Sequence, residues 1–156
     1  MAYRYTGLSP APFAPLLALD DDALAARGMR RMIADASPGF PCRISLEDAE
    51  PGERVLLLAY EHQPARTPFR ASGPIFIRER ARAAFDRVGD PPPAFLTRPL
   101  SLRAYDETGM MCDADITAGA EIETLLARLF DHPDAAYIHV HYARRGCFAG
   151  RVERAH

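Results

Sequence analysis

Two histidines alternate within an apolar run close to the end of the sequence. They are His139 and His141, in the stretch A-Y-I-H-V-H-Y-A. Residues two apart on a β-strand point to the same face, so the two imidazoles would lie side by side. Imidazole binds zinc and other transition metals, and it also transfers protons near neutral pH. The pair therefore predicts a metal site, an acid–base site, or two structural hydrogen-bonding side chains.

A metal site would need further ligands, because a catalytic zinc ion has three protein ligands and one open position. Two other stretches could supply them. Glu61 and His62 end the apolar run R-V-L-L-L-A-Y-E-H-Q, and strand alternation places them on opposite faces. Asp113 and Asp115 form a D-x-D pair. At most one of Glu61 and His62 can join the two later histidines, and the sequence leaves the metal or any other cofactor unknown.

An anion-binding group is predicted on the strand that precedes the two aspartates. A hairpin turn, D-E-T-G, occupies residues 106–109. Pairing across this turn sets Arg103 opposite Asp113, with Tyr105 on the same polar face. An exposed cross-strand ion pair is the simpler interpretation. If the face lines a cleft, Arg103 becomes an anchor for a carboxylate or phosphate, because a guanidinium binds such groups through two hydrogen bonds.

The cysteines form neither a metal-binding nor a disulfide pattern. All three are widely spaced, which indicates reduced and mostly buried thiols: Cys42, Cys112 and Cys147. If residues 143–146 form a hairpin turn, His141 pairs with Phe148. Cys147 then lies on the face away from both histidines. This register argues against a Cys–His nucleophile pair, and a single β-bulge would reverse that conclusion.

Two proline-containing loops are candidate binding segments. P-G-F-P-C-R, residues 38–43, places a thiol beside a guanidinium in a stiff turn. Residues 61–74 are predicted to form a long polar loop, and loops of this length often carry binding residues. Arg70 lies in this second loop and is therefore a candidate ligand-binding residue.

Composition excludes several kinds of chemistry. The chain has 156 residues and a formal net charge of −2, so it lacks the positive charge typical of nucleic-acid-binding proteins. All 19 lysine-or-arginine positions are arginine, which excludes a Schiff-base lysine, a pyridoxal phosphate anchor and a phosphate-loop lysine. The sequence has no apolar run of membrane-spanning length and begins without a signal core, so we expect a cytoplasmic protein with no membrane contact.

The elements that must position these residues are mostly strands. Predicted strands and hairpin arms cover residues 3–8, 29–34, 42–46, 54–63, 74–77, 100–116, 136–143 and 147–153. Helices are predicted for residues 20–27, 78–88 and 119–131. The pattern indicates one α+β domain over residues 1–156, with a mainly antiparallel sheet and helices packed on one face.

Five longer motifs run along the chain. They are P-G-F-P-C-R-x-S-L-E-D-A-x-P-G-E, Y-E-H-Q-P, A-S-G-P-I-F-I-R-E, R-A-Y-D-x-x-G-M-M-x-D-A-D and H-V-H-x-A-R-x-G-C. As a set they resemble a bacterial domain-of-unknown-function family of small single-domain proteins of about this length. The resemblance implies no activity. Cupins and histidine-triad hydrolases share only fragments, because the cupin glutamate is missing and position 143 is alanine instead of a third histidine.

The first interpretation is a protein that binds a small anionic ligand or a metal in a cleft lined by histidine and arginine, with or without catalysis. The candidate catalytic groups are His139, His141 and His62. The candidate ligand-binding residues are Arg103, Tyr105, Asp113 and Arg70. The alternative is a non-enzymatic domain that forms a homodimer or binds a partner, in which these side chains merely decorate a sheet face.

Overall fold

A computed structural model describes residues 1–156 and shows two antiparallel β-sheets connected by short helices and loops. The larger sheet contains β1 (Tyr3–Thr6), β5 (Asp86–Val88), β6 (Pro99–Tyr105), β7 (Met111–Ala118), β8 (Tyr137–Tyr142) and β9 (Phe148–Arg154). These strands lie in the order β5-β1-β9-β8-β6-β7. The smaller sheet consists of β2 (Arg30–Ile33), β3 (Arg54–Gln63) and β4 (Ala71–Arg78), in that order. The predicted mainly antiparallel sheet structure is confirmed.

Helices are few and short. They are α1 (Ala14–Leu17), α2 (Asp21–Ala26), α3 (Pro93–Leu96), the 3-10 turn Gly119–Glu121 and α4 (Ile122–Phe130). α2 begins as predicted, because the carboxylate of Asp20 accepts a hydrogen bond from the amide of Ala23 at 2.8 Å. It ends before Gly28, whose φ of 73° suits the left-handed exit from a helix. None of the helices combines the length and apolar character needed to cross a membrane.

The apolar stripe of α4 forms the centre of the main hydrophobic core. Ile122, Leu126 and Leu129 are almost completely buried. α4 packs against β6 and β7, and its stripe meets the apolar face of the larger sheet. Each such side chain contributes on the order of 1.5–3 kcal/mol through removal from water. This core leaves the opposite face of β6 and β8 available for polar side chains.

β6 and β8 are direct neighbours in the larger sheet, which places the two predicted site strands side by side. Arg103 pairs with His139, and Ser101 pairs with His141. Opposed residues of antiparallel strands share a face. The guanidinium-bearing strand and the histidine-bearing strand therefore present their polar side chains to the same side of the sheet.

Three expected elements differ in the structure. Residues 42–46 do not form a strand: Cys42 makes only an isolated bridge to Phe76, and Leu46 has a φ of 54° that an extended strand does not allow. Residues 78–88 do not form a helix, because β5 pairs with β1 and long-range pairing overrides local helix propensity. The loop expected over residues 61–74 is shorter, since Gln63 already pairs with Ala71.

Gly7, directly after β1, lies in close backbone contact with the segment around Arg43 and Ile44. Its amide donates to the carbonyl of Phe85 at 2.8 Å, and the next amide, of Leu8, donates to the carbonyl of Arg43 at 2.8 Å. The backbone of Ile44 lies so near that a Cβ at position 7 would overlap its carbonyl oxygen. Close backbone approach therefore requires glycine at this position.

We expect Gly7→Ala to lower the free energy of unfolding by about 1–3 kcal/mol, the usual cost of forcing an extra methyl group into a packed region. Gly73→Ala is the matched control, because nothing lies within 4 Å of the position of its Cβ. Urea unfolding followed by circular dichroism measures both variants. Equal effects of the two substitutions would contradict the importance of the contact between Gly7 and Ile44.

Candidate functional site

Three histidines converge where the two sheets face each other. His62 lies near the end of β3 in the smaller sheet, and His139 and His141 lie on β8 in the larger sheet. Their candidate ligand atoms all lie within 4.8 Å of one another. The ring centroid of His62 is 5.0 Å from that of His141 and 6.2 Å from that of His139. Two chain segments far apart in sequence thus build one cluster.

Strand alternation places the two imidazoles of β8 as the sequence predicts. Ile138 and Val140 point into the core beneath α4, so His139 and His141 point to the other face. His62 reaches the same space near an irregularity in β3, where the pairing with β4 shifts register between Tyr60 and Gln63. Such bulges redirect side chains at the edge of a sheet.

Each imidazole has a buried ring nitrogen without a hydrogen-bond partner. These atoms are Nδ1 of His62, Nδ1 of His139 and Nε2 of His141. His141 Nδ1 lies 3.0 Å from the carbonyl oxygen of Gly146. A carbonyl can only accept, so Nδ1 donates the proton and Nε2 carries the lone pair. A buried polar atom without a partner costs about 1–3 kcal/mol, and three such atoms in one place indicate a missing partner.

Burial keeps these imidazoles in their neutral form. It lowers the pKa of His139 to about 3, with further contributions from the nearby His141 and Arg151. Burial likewise lowers the pKa of His141 to about 4, although its bond to Gly146 acts in the opposite direction. The pKa of His62 is lowered by burial and by the charge of Arg103. Neutral imidazole is the form that binds a metal ion.

Phe148 forms an aromatic support for all three histidines. Its ring stacks on that of His62 with centroids 5.4 Å apart and an interplanar angle of 5°. It meets His139 and His141 nearly edge-on, at 5.1 and 5.9 Å. The sequence predicts that Phe148 pairs with His141, and the structure has this pair, but no pattern in the sequence indicates the aromatic role of Phe148. Packing of this kind restricts the side-chain rotamers and so holds the ring nitrogens in place.

Two tyrosines complete the aromatic surroundings of His139. The rings of Tyr105 and Tyr137 stack with centroids 5.5 Å apart, and both lie close to His139, at 5.1 and 5.2 Å. The hydroxyl of Tyr137 accepts a hydrogen bond from the side-chain amide of Gln63 at 3.0 Å. This bond connects β8 to the last residue of β3, next to His62. Tyr105, a predicted ligand-binding residue, is therefore part of the wall of the cluster.

Arg103 places a positive charge beside the histidines and has no acidic partner. It lies opposite His139 on β6, and its charge lowers the pKa of each of the three clustered histidines. None of the ion pairs in the structure includes Arg103. Its Nε donates only a long hydrogen bond, 3.4 Å, to the hydroxyl of Ser101. A guanidinium in this state is available to an anion.

The predicted pairing of Arg103 with Asp113 is wrong. Arg103 lies opposite Ala114, because the pairing of β6 with β7 shifts by one residue near the turn. A one-residue shift moves side chains to the other face of a sheet. Asp113 and Asp115 accordingly lie on the α4 side, where the guanidinium of Arg128 donates to them at 3.3 and 2.7 Å. Asp113 therefore does not join the histidines.

Arg70 is also separated from the cluster. Its guanidinium donates to the carboxylate of Glu61 at 3.0 Å, and both side chains are well exposed. Glu61 points away from His62, as strand alternation predicts. The cluster thus contains histidines and a free arginine but no carboxylate.

The three cysteines are free thiols, as predicted, and none belongs to the histidine cluster. Cys42 is fully buried, and its sulfur accepts hydrogen bonds from the amides of Ile44 and Arg78. The sulfur of Cys147 instead accepts a bond from the guanidinium of Arg43 at 3.0 Å. Cys147 packs against the main core, on the other side of the sheet from the histidines. A Cys–His nucleophile pair is absent from the structure.

Fold and site together define a two-sheet, mainly antiparallel protein with a buried three-histidine cluster at the junction of its sheets. The family described as "Protein of unknown function (DUF1203)" matches residues 39–154, a stretch that includes all three histidines. The chain belongs to this family, which confirms the predicted membership of a family of unknown function. No curated protein and no solved structure matches the chain.

The lowered pKa values predict that the metal-free protein loses stability in mild acid. In the unfolded chain, His139 and His141 bind protons below about pH 6.5. In the folded protein their pKa values are only about 3 and about 4, so they stay neutral over the range between. The free energy of unfolding should therefore fall by up to about 1.4 kcal/mol per pH unit for each histidine. Urea unfolding in the presence of a chelator, at neutral pH and near pH 5, measures the slope.

Replacing one buried imidazole tests the origin of this slope. His139→Gln should reduce the loss of stability between neutral pH and pH 5, because glutamine does not titrate. His156→Gln is the control, since His156 is exposed. An unchanged slope in His139→Gln would contradict the assignment.

Proposed function

We propose that the protein binds a divalent transition-metal ion through His62, His139 and His141, and that this metal holds a small anionic molecule together with Arg103. The observation that carries the proposal is the convergence of three histidines whose candidate ligand atoms lie within 4.8 Å of one another, and each of which has a buried ring nitrogen without a hydrogen-bond partner. A metal ion accepts a lone pair from each of the three imidazoles at once and so satisfies all of them.

The spacing supports an ion of the size of zinc. With zinc–nitrogen bonds of about 2.0–2.1 Å in a tetrahedron, ligand nitrogens lie about 3.3 Å apart. The candidate ligand atoms lie within 4.8 Å of one another, so each separation would have to shorten by at most about 1.5 Å. The bond from His141 to the carbonyl of Gly146 is the type of outer contact that orients a metal-binding imidazole. Three histidines also leave a fourth position open.

The charge of the site favours an anion at the open position. Three neutral imidazoles leave the double positive charge of the metal uncompensated, and Arg103 adds another positive charge without an acidic partner. An anion, either hydroxide or the carboxylate or phosphate of a ligand, would balance this charge. No carboxylate lies in the cluster to act as a separate general base, so ligand binding is better supported than catalysis.

A cytoplasmic location, supported by three free cysteines and no disulfide, belongs to the same proposal.

Direct metal titration tests the histidine cluster. Protein without an affinity tag, stripped with a chelator, should bind about one Zn²⁺ or Co²⁺ per chain by calorimetry, and no Mg²⁺, because Mg²⁺ prefers oxygen ligands. His62→Ala and His139→Ala should each weaken Zn²⁺ binding at least about a hundredfold, because even loss of an outer contact weakens it by 10–100-fold. His132→Ala is the matched control, a partly buried histidine outside the cluster. Absence of stoichiometric Zn²⁺ binding by the unmodified chain would overturn the proposal.

Anion binding to the Co²⁺-loaded protein tests the role of Arg103. Acetate and sulfate should change the visible absorption spectrum of the bound Co²⁺ as they occupy the open position. Arg103→Gln should weaken this effect about tenfold and leave Co²⁺ affinity nearly unchanged, because a charge-assisted hydrogen bond is worth about 1.5–3 kcal/mol. Arg70→Gln serves as the control, since Arg70 is held by Glu61. Equal anion affinity of both variants would contradict the assigned role.

A further inference from the structure

A cavity of about 560 Å³ lies beside the turn that joins β8 to β9. None of the three clustered histidines lines it. Its polar wall is formed by Arg43, Arg98, Tyr142, Arg144, Arg145 and Cys147. The volume falls within the range of small-molecule binding sites, about 300–1,000 Å³. The concentration of guanidinium groups around one cavity is its main chemical property.

Arg43 is a buried cation without a carboxylate partner. Only 1% of its surface is exposed. Its nitrogens donate to the carbonyl of Phe148 at 2.7 Å, to the carbonyl of Pro41 and to the sulfur of Cys147 at 3.0 Å. These acceptors satisfy the hydrogen bonds but leave the positive charge uncompensated. Buried charges in proteins are normally paired, so this one indicates a missing anion.

Tyr142 adds a buried donor without an acceptor. The guanidinium groups of Arg43 and Arg98 both lie over its ring, each 5.0 Å from the ring centroid. The residue is 5% exposed, and its hydroxyl has no hydrogen-bond partner. Burial raises its pKa, so the hydroxyl keeps its proton and can donate it to a ligand. The same cavity thus contains the Tyr142 hydroxyl, which lacks a hydrogen-bond acceptor, and the Arg43 guanidinium, which lacks a negatively charged partner.

The charge balance of the cavity is strongly positive. Asp48 forms an ion pair with Arg98 and so compensates one of the four guanidinium groups. Arg144 and Arg145 are exposed and form no ion pair in the structure. Three positive charges therefore remain around a concave space, where low-dielectric walls strengthen their attraction for an anion.

One part of the cavity wall is apolar. Phe40 and Phe76 line it, with ring centroids 5.1 Å apart, together with Met32. Phe40 belongs to residues 38–43, the proline-containing turn that the sequence indicates as a candidate binding segment. An inorganic anion would leave this surface uncovered, whereas an organic anion would cover it with an apolar body.

We propose that this cavity binds an organic anion, namely an apolar, ring-sized body that carries a carboxylate or a phosphate. The anionic group lies against Arg43, Arg144 and Arg145 and accepts a hydrogen bond from Tyr142. The apolar body packs against Phe40 and Phe76. The site is spatially separate from the histidine cluster, because the two lie on different sides of Phe148: the carbonyl of Phe148 faces Arg43, and its ring faces His62.

Calorimetry with naphthyl phosphate and naphthoate, in the presence of a chelator, tests the cavity without involving the histidine site. At least one of the two probes should bind saturably at one site, and neutral naphthol should bind at least about tenfold more weakly. Whichever anion binds more tightly identifies the group that the cavity prefers. The double variant Arg144→Gln/Arg145→Gln should weaken binding about tenfold, since two partly exposed charge contacts contribute about 1–2 kcal/mol together.

The matched control is Arg27→Gln/Arg82→Gln, which removes the same charge from exposed positions outside the cavity. It should bind the probes like the unmodified chain. Equal affinity of the two double variants, equal binding of naphthol, or absence of saturable binding by both anions would overturn the proposal.

Thiol modification locates the bound probe. Iodoacetamide alkylates a cysteine when the sulfur attacks its methylene carbon and displaces iodide, with loss of the thiol proton to solvent. The tighter-binding probe should slow alkylation of Cys147, which lines the cavity, at least about fivefold at saturation. Cys112 is partly buried and lies outside the cavity, so its rate is the internal control. Peptide mass analysis distinguishes the two thiols, and equal protection of both would contradict binding at this site.

Discussion

The hydrogen bond from the buried guanidinium of Arg43 to the carbonyl of Phe148, 2.7 Å long, connects the parts of this molecule on which function depends. It joins the stretch 38–43 to the first residue of β9 and so sets the position of the Phe148 ring. That ring in turn packs against His62, His139 and His141. A hydrogen bond from a charged donor contributes roughly 1.5–3 kcal/mol, and its loss here would leave a buried charge behind.

Desolvation is the second constraint, and it acts oppositely on the two polar regions. Around the histidines it lowers the pKa values, so the three imidazoles are neutral and each has one nitrogen with a free lone pair. Around Arg43 it cannot remove the proton, because a guanidinium stays charged at every pH that proteins experience. One region therefore collects unshared electron pairs and the other collects positive charge. Their chemical preferences, for a metal ion and for an anion, follow from this difference.

The sequence predicts those secondary-structure elements that have strong local signals. The two hairpins have turn residues with the required conformation, such as Gly109 at a φ of 90°, and α4 has an apolar stripe. Alternation also sufficed to place His139 and His141 on one face. The register of β6 with β7 could not be predicted, because a single irregularity near the turn moved Asp113 to the other side. The proximity of His62 depends on how two sheets pack, and no local pattern contains that information.

The bond between His141 Nδ1 and the carbonyl of Gly146 connects the histidine cluster to the turn that joins β8 to β9. Gly146 belongs to the same tight turn as Arg144 and Arg145, which line the arginine-rich cavity. The orientation of the His141 imidazole therefore depends on the geometry of this turn. Any molecule that displaces this turn must also alter the affinity of the imidazole for its own ligand. Thermodynamic reciprocity then requires the reverse effect, of equal free energy.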